Sequence, residues 1–321
     1  MNKLTSYILV GLTLSTCLFS SCNQKKSKDG RTDTYSSGAI TFASDESFSP
    51  IIEEERELFE STYKDAHLTP IYTNEAEAIQ TLLDGKVWMA VTSRDFKEGE
   101  LAHLKLNKQY PRTIRFAYDG LALIQNKQNT DSCISVKDIR RILTGEVTRW
   151  DEIYPNSKNG EITVVFDNPK SSTVHFAEDS ILGGKPITSP NVSAVNKVED
   201  VIKYVEEHRG AIGILGSNWL NDKRDSTNLT FRKEIRPMAV THLDVANVQN
   251  SYKPYQYYFY NASYPLVRTL YILLNDTHMG LPTGFSNFII SQDRGQLVVL
   301  KAGLLPAYGR LTIRDVRVSD E

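Results

Sequence analysis

The chain has 321 residues, 40% of them hydrophobic and 24% charged, with a formal net charge of −2. That length suits one large or two medium globular domains. A charge so near zero excludes a global field that would gather nucleic acid, and no Lys/Arg-rich block forms a polyanion groove, so any partner must be recognised locally.

The first residues, MNKLTSYILVGLTLSTCLFSSC, have the layout of an export signal: Lys3, an apolar run from Ile8 to Phe19, then Ser20, Ser21 and Cys22. The run is too short to span a bilayer. It resembles a bacterial lipoprotein signal in which Cys22 is acylated and becomes the new N-terminus, although Phe19 stands where leucine is usual. An ordinary secretory signal with an incidental cysteine is the alternative. Cys17 leaves with the signal, so Cys133 is left alone, without an intrachain disulfide or a Cys-based metal site. Asn23 to Ser37 is polar and predicts a flexible tether.

From Gly38 onwards, short apolar runs alternate with amphipathic segments, an α/β pattern. GAITFAS (38–44) predicts a strand. The following SFSPIIEEERELFESTY predicts a helix capped by Ser49, with Pro50 first and Glu53 to Glu55 favouring its positive end. LTPIYT (68–73) is a second strand, and EAEAIQTLLDG a helix with Ala76, Ile79 and Leu83 inward and Gly85 as its stop. VWMAVTS (87–93) reads as a buried strand. IRFAYDGLALIQN (114–126) is another, interrupted at Asp119-Gly120.

ISVKDIRRILTGEVTRWDEI opens with Ser135 and Asp138 at capping-box spacing and carries an apolar stripe of Val136, Ile139, Ile142 and Leu143. EITVVFDN (161–168) predicts a strand, and STVHFAEDSIL a helix with Val174, Ala177 and Ile181 inward. VEDVIKYVEEHRG is a helix stopped by Gly210, followed by the strand AIGILG. The strand RTLYILLN and one terminal helix containing FSNFIISQDRGQLVVLKAG close the fold.

In open α/β sheets, ligands collect beyond the carboxyl ends of the strands, where helix N-termini point free N–H groups. Three such ends occur here, at Ser44–Ser49, Thr92–Phe96 and Asn168–Thr173, and their convergence predicts a binding site.

Several motifs together resemble the PstS-like phosphate-binding proteins of ABC transporters, within the type 2 periplasmic-binding-protein superfamily. FAYDGLALIQNKQN is similar to the strand entering the family's second lobe. ISVKDIRRILTGEVTRWDEI keeps Leu143, Gly145 and Trp150 of its characteristic segment. HRGAIGILG, YPLVRTLYILL and GQLVVLKAGLLP follow in the family's order, and the likeness runs over about residues 38 to 307. It implies an α/β fold of two lobes, a central mixed sheet in each and a two-crossover hinge, with the ligand in the cleft. By position, lobe 1 would take 38–122 plus 262–321 and lobe 2 would take 123–261.

The resemblance also implies site residues. In the first loop Ser47 and the Phe48 amide match, while Asp45 and Glu46 do not. In the second, Ser93 and Arg94 match, and Trp88 replaces an aspartate common at the start of that strand. In the third, Ser171 and Thr173 keep their places, Ser172 replaces glycine, and Asp167 takes the position of the family's arginine. A carboxylate about 4 Å from a phosphate repels it by about 4 kcal/mol at an effective dielectric near 20, roughly three decades of affinity. Asp167 therefore either points away and caps the turn, or accepts the proton of a monobasic phosphate. Lys170 and Arg94 could then supply the positive charge.

Other patterns carry less. Ser171, His175 and Asp179 share a helix face, but no G-x-S-x-G elbow accompanies them, so a solvated face is favoured over a hydrolase triad. The histidines, at 67, 103, 175, 208, 242 and 278, lack ligand spacing, which argues against a metal site. SYKPYQYYFYNASYPL predicts aromatic packing near the returning crossover, with an exposed partner surface as the alternative.

The expectation is thus a lipid-anchored, extracytoplasmic solute-binding protein, monomeric and not an enzyme, needing no cofactor. Its ligand would be phosphate or a related oxyanion, and its partners ABC permease subunits and a bacterial membrane's periplasmic face. The alternative is a PstS-like lipoprotein that has lost phosphate binding and serves a sensory, assembly or other small-ligand role.

Overall fold

The computed structural model describes residues 30–220, 233 and 235–309, so the expected signal sequence and Cys22 lie outside the described residues. The first lobe begins with β1 (Gly38–Asp45), a short 3-10 turn at Glu46–Phe48, α1 (Ser49–Thr62) and β2 (Ala66–Thr73). It continues with α2 (Glu75–Leu83), β3 (Met89–Thr92) and α3 (Glu98–Leu106). β4 (Arg112–Gln125) then runs out of this lobe into the second.

The second lobe holds β5 (Cys133–Ser135), α4 (Val136–Thr144), β6 (Thr163–Phe166), α5 (Ser172–Phe176), β7 (Val192–Ala194), α6 (Val198–Glu207) and β8 (Ala211–Gly216). It ends with β9 (Arg236–Pro237), β10 (Ala239–Thr241) and α7 (Gln256–Tyr260). β11 (Val267–Leu274), α8 (Leu281–Ile289), α9 (Gly295–Lys301) and β12 (Leu305–Pro306) belong to the first lobe.

The main sheet runs β2-β1-β3-β11-β4-β8-β6-β7, and β10 pairs β5 in a separate ribbon. β1, β2 and β3 are parallel, as are β6, β7 and β8, while β11 and β4 run antiparallel between the two groups. This places the carboxyl ends of β1, β3 and β6 around one cleft. Side chains alternate across the sheet, so Phe42 joins an aromatic cluster with Phe59 and Phe285, while Ala43 faces Ile79 and Leu82 on the other side. β6 does the same: Val164 and Phe166 pack with Trp150, and Val165 packs with Val201 and Val205.

Several expectations shift. Ser135 accepts from the Asp138 amide at 3.0 Å, as the spacing predicts. β4 is continuous through Asp119-Gly120; its irregularity lies at Phe116, the extra β4 residue opposite the Leu270–Tyr271 step of β11. α2 buries Glu75, Ala78, Ile79 and Leu82 and leaves Ala76 exposed, because Glu75 is drawn inward by Ser93. α1 begins one residue earlier than expected, with Phe48 rather than Ser49 at its cap and no acidic residue in its first turn. Glu53 instead accepts from Arg56 and Tyr72, and Glu55 is wholly buried with its carboxyl held well above the usual range by desolvation and by Glu54. The terminal helix is two helices separated at Ile290–Arg294.

Part of the segment expected as a tether is packed instead. Arg31 pairs with Asp33 and with Asp276 at 2.7 Å each, and its guanidinium lies 4.2 Å over the Trp88 ring. Residues 31–33 are therefore packed against the first lobe. In the aromatic segment Tyr264 is buried and donates to the Leu121 carbonyl, whereas Tyr257 and Tyr260 remain exposed.

Trp150 is fully buried and donates from Nε1 to the Gly210 carbonyl at 2.9 Å. Trp150→Ala removes both the packing and the bond, and urea unfolding should register a loss of about 3–5 kcal/mol.

Candidate functional site

β1 ends at Asp45, where the chain turns through three residues before α1 can start. Asp45 accepts from the Ser47 amide at 2.8 Å, which caps that turn. Its other oxygen accepts from the Ser172 amide at 2.9 Å, at the start of α5 in the opposite lobe. One buried carboxylate thus takes a backbone donor from each lobe.

Beside it stands a second carboxylate. Asp167, just past β6, accepts from the Ser47 hydroxyl at 2.8 Å and from the Thr173 hydroxyl at 2.5 Å. Both bonds lie inside the cleft, so Asp167 does not point away from it. The Ser47 carbonyl is held in turn by Asn218 Nδ2 at 3.1 Å and Trp219 Nε1 at 2.9 Å. Burial, followed by the charges of Asp167 and Glu75, pushes the Asp45 carboxyl up to about 7 against the opposing bonds from Ser47. Glu46 is raised as well, by burial and by Glu199 and Asp167.

The floor of the site is an ion pair. Arg268 on β11 donates from Nε to Asp119 Oδ2 at 2.9 Å, and from Nη1 to the Ser172 hydroxyl at 2.8 Å. Its Nη2 lies 2.8 Å from the same Asp119 oxygen but off the hydrogen-bond direction. The guanidinium sits 4.8 Å over the Phe48 ring. Asp119 is completed by the Ser217 amide at 2.9 Å and hydroxyl at 2.6 Å. A Cβ on Gly216 would come within 2.9 Å of both Arg268 Nη2 and Asp119 Oδ2, so glycine is required there by space.

At the cleft mouth, Glu75 Oε1 accepts from the Ser93 amide at 2.6 Å and hydroxyl at 2.8 Å. Glu75 Oε2 lies 2.9 Å from His175 Nδ1, joining the lobes again, and His175 Nε2 lies 3.0 Å from Asp179. With both ring nitrogens facing carboxylates, and Ser171 bonded to the Asn168 carbonyl and Thr173, Ser171 and His175 do not form a nucleophile–base pair. The Glu75 bond holds the His175 imidazole above its ordinary value in spite of burial.

Of the expected site residues, the structure gathers Ser47, Phe48, Asp167, Ser171, Ser172 and Thr173 in the buried seat. Ser93 is turned to Glu75. Arg94 is not in that seat: its fork is taken by Glu100 at 2.9 and 2.7 Å. The buried guanidinium is Arg268, which motif reading passed over because it lies within the apolar alternation of a strand. Among the described residues, no group of three or more His, Cys, Asp or Glu is placed to hold a metal ion.

The profile of the PBP superfamily domain matches residues 29–293. The phosphate-binding protein PstS of Staphylococcus aureus strain USA300 is 21% identical over 286 residues, covering 88% of this chain and 82% of that protein. A crystal structure from Clostridium perfringens with bound phosphate superposes with a TM-score of 0.70 at 21% identity, covering 84% of this chain and 100% of the other. An ABC-type phosphate transport receptor from Vibrio cholerae gives 0.61 at 18% identity, with coverage of 83% and 99%. At such identities the two structures establish the likeness of fold.

Two measurements probe the buried charges. Arg268→Met strands Asp119 without a countercharge and should cost about 3–5 kcal/mol in chemical denaturation, with Asp119→Asn added on top recovering part of the loss. Between the unfolded carboxyl value of 3.8 and about 7, folded Asp45 holds a proton that the unfolded chain has released, so its contribution is full at low pH and fades as pH rises through about 7. The stability difference between native protein and Asp45→Asn should therefore move in favour of the variant from about pH 5 to about pH 8 in urea titrations.

Proposed function

Because the chain belongs to the PBP (periplasmic-binding-protein) superfamily, we propose that it is an extracytoplasmic solute-binding protein of a phosphate-type ABC importer. It takes phosphate or a related oxyanion between its lobes, is anchored by lipid at Cys22, and delivers its ligand to permease subunits. It is a binding protein rather than an enzyme.

One observation carries this reading: the Ser47 and Ser172 amides, one from each lobe, already converge on a single anionic group, the Asp45 carboxylate. An oxyanion replacing Asp45 would inherit those amides and the hydroxyls of Ser47, Ser171, Ser172 and Thr173. Arg268 would supply positive charge from beneath, through Ser172. Asp167 would accept the proton of a monobasic ligand. The names of the S. aureus and V. cholerae relatives support phosphate as that ligand.

The same geometry favours a second reading, in which phosphate binding has been lost and the fold serves a sensory, assembly or other small-ligand role. Asp45 and Asp167 together consume the donors that a guest would need. A dianion beside two carboxylates is repelled by about 4 kcal/mol per unit charge pair at about 4 Å and an effective dielectric near 20.

Calorimetry with inorganic phosphate separates the two. The first reading expects native protein to bind in the micromolar range near pH 6 and more weakly near pH 8, as Asp45 gains its charge through about 7. It expects Asp45→Ala to bind about tenfold tighter or better and to keep only the pH dependence that the ligand's own proton, given to Asp167, imposes. Binding seen only in Asp45→Ala, or in neither protein, supports the second.

A further inference from the structure

We infer that the mouth of the interlobe cleft is an outer anion site, distinct from the buried seat, that takes a small phosphate-class dianion with or without a short organic substituent. A cavity of about 220 Å³ opens there, walled by Arg94 and Lys97 from the first lobe and by Lys170 and His175 from the second. A neighbouring cavity of about 230 Å³ shares Arg94 and His175 as a common wall. Room for a guest therefore exists at the mouth, whereas the buried seat is filled by its own carboxylates.

The carboxylates lining the outer cavity are occupied. Glu75 is taken by Ser93 and His175, and Glu178 accepts from the Ile187 amide at 3.2 Å. Arg94 is tied to Glu100 and serves as wall rather than clamp. Lys97 and Lys170 differ. Among the described residues neither ammonium lies within ion-pair distance of a carboxylate, and the two reach the cavity from facing lobes. With Arg94 set against Glu100, lining cations equal lining carboxylates when His175 is neutral and exceed them by one when it is protonated.

A concave, partly desolvated wall concentrates such a field and raises the local concentration of small anions. Two point charges on flexible stems suit a compact dianion and do not demand the flat geometry of an arginine fork. An anion held between Lys97 and Lys170 would also bridge the lobes, adding to the His175–Glu75 contact.

His175 tunes the site. It is faced by Glu75 and Arg94 from the first lobe, by Asp179 on its own helical segment, and across the two cavities by Lys97, Lys170, Glu178, Arg268 and Tyr271. Its charged form persists above the ordinary imidazole value and is lost as pH rises further, so anion affinity falls in that direction.

The test is calorimetry on the full chain with inorganic phosphate and with glycerol 3-phosphate, a monoester bulkier than the guest proposed for the buried seat. Native protein should bind the ester, more weakly as salt rises from about 50 to about 200 mM and as pH rises from about 7 to about 8.5, where the ester, with its second pKa about 6, stays a dianion while His175 loses its charge. The double variant Lys97→Gln/Lys170→Gln should lose about tenfold or more of that affinity, and Glu178→Gln, whose side-chain oxygen can still accept from Ile187, should gain. Both lysines are exposed, so the variants should melt at the native temperature. Absence of ester binding by native protein, or a double variant indistinguishable from it, overturns the outer site. The Asp45→Ala phosphate measurement fails or succeeds independently of either result.

Discussion

The arrangement of the two lobes turns on the Asp45 carboxylate and its bonds to the Ser47 and Ser172 amides. Backbone donors at a helix start that are buried without an acceptor cost free energy, and closing the cleft buries such donors from both sides. In a binding protein a guest anion normally meets that requirement. Here the chain meets it with its own side chain, so the closed arrangement is satisfied internally. The charge that does so is itself costly, since Asp167 is hydrogen-bonded to the same Ser47 and Glu75 stands close enough to be felt. A proton on Asp45 relieves the repulsion and leaves its acceptor oxygens in place.

Beneath this pair the crossover is pinned by a register match. Arg268 on β11 and Asp119 on β4 are direct partners in the antiparallel ladder where the chain passes between lobes. Their side chains meet on one face, as opposed charges do when placed directly across a strand pair. Gly216 leaves the space for them, and Ser217 completes the aspartate. Arg268 then reaches Ser172, so the strand at the hinge and the amide terminus in the cleft are linked through one guanidinium. Movement of one lobe against the other must stretch or break this link.

Much of the framework was legible in the chain. Alternating apolar runs located β1, β6, β8 and β11, and the Ser135–Asp138 spacing located the start of α4, because these signals are local. The errors come from long-range partners. Glu75 is buried at a position that periodicity gives to solvent, since Ser93 waits for it eighteen residues later. Arg31 and Asp33 look like linker until Asp276 is placed beside them, 245 residues from Arg31. Arg268 sits in a strand alternation that has no mark of function, and only its partner Asp119, 149 residues away, gives it meaning. The structure brings together around one cleft Ser47, Ser171 and Thr173, which the resemblance singles out, but the direction of Asp167 is a tertiary fact that no local pattern encodes.

The charge pattern of the cleft runs opposite to what a simple anion receptor requires. Cations stand at the mouth, where Lys97 and Lys170 face water, and carboxylates stand inside, where Asp45 and Asp167 hold the best donors. On the proposed readings an anion would be drawn to the entrance and resisted at the seat. The resistance is not fixed, because it falls when Asp45 takes up a proton near neutrality, while the positive charge of Arg268 in the floor remains available through Ser172. On the first proposed reading, Asp167 at the position where the resemblance implies an arginine would change what the seat accepts: a ligand carrying its own proton would donate to Asp167, and a fully ionised one would not. On that reading, selection by protonation state would follow from placing acceptors where the resemblance implies a donor fork.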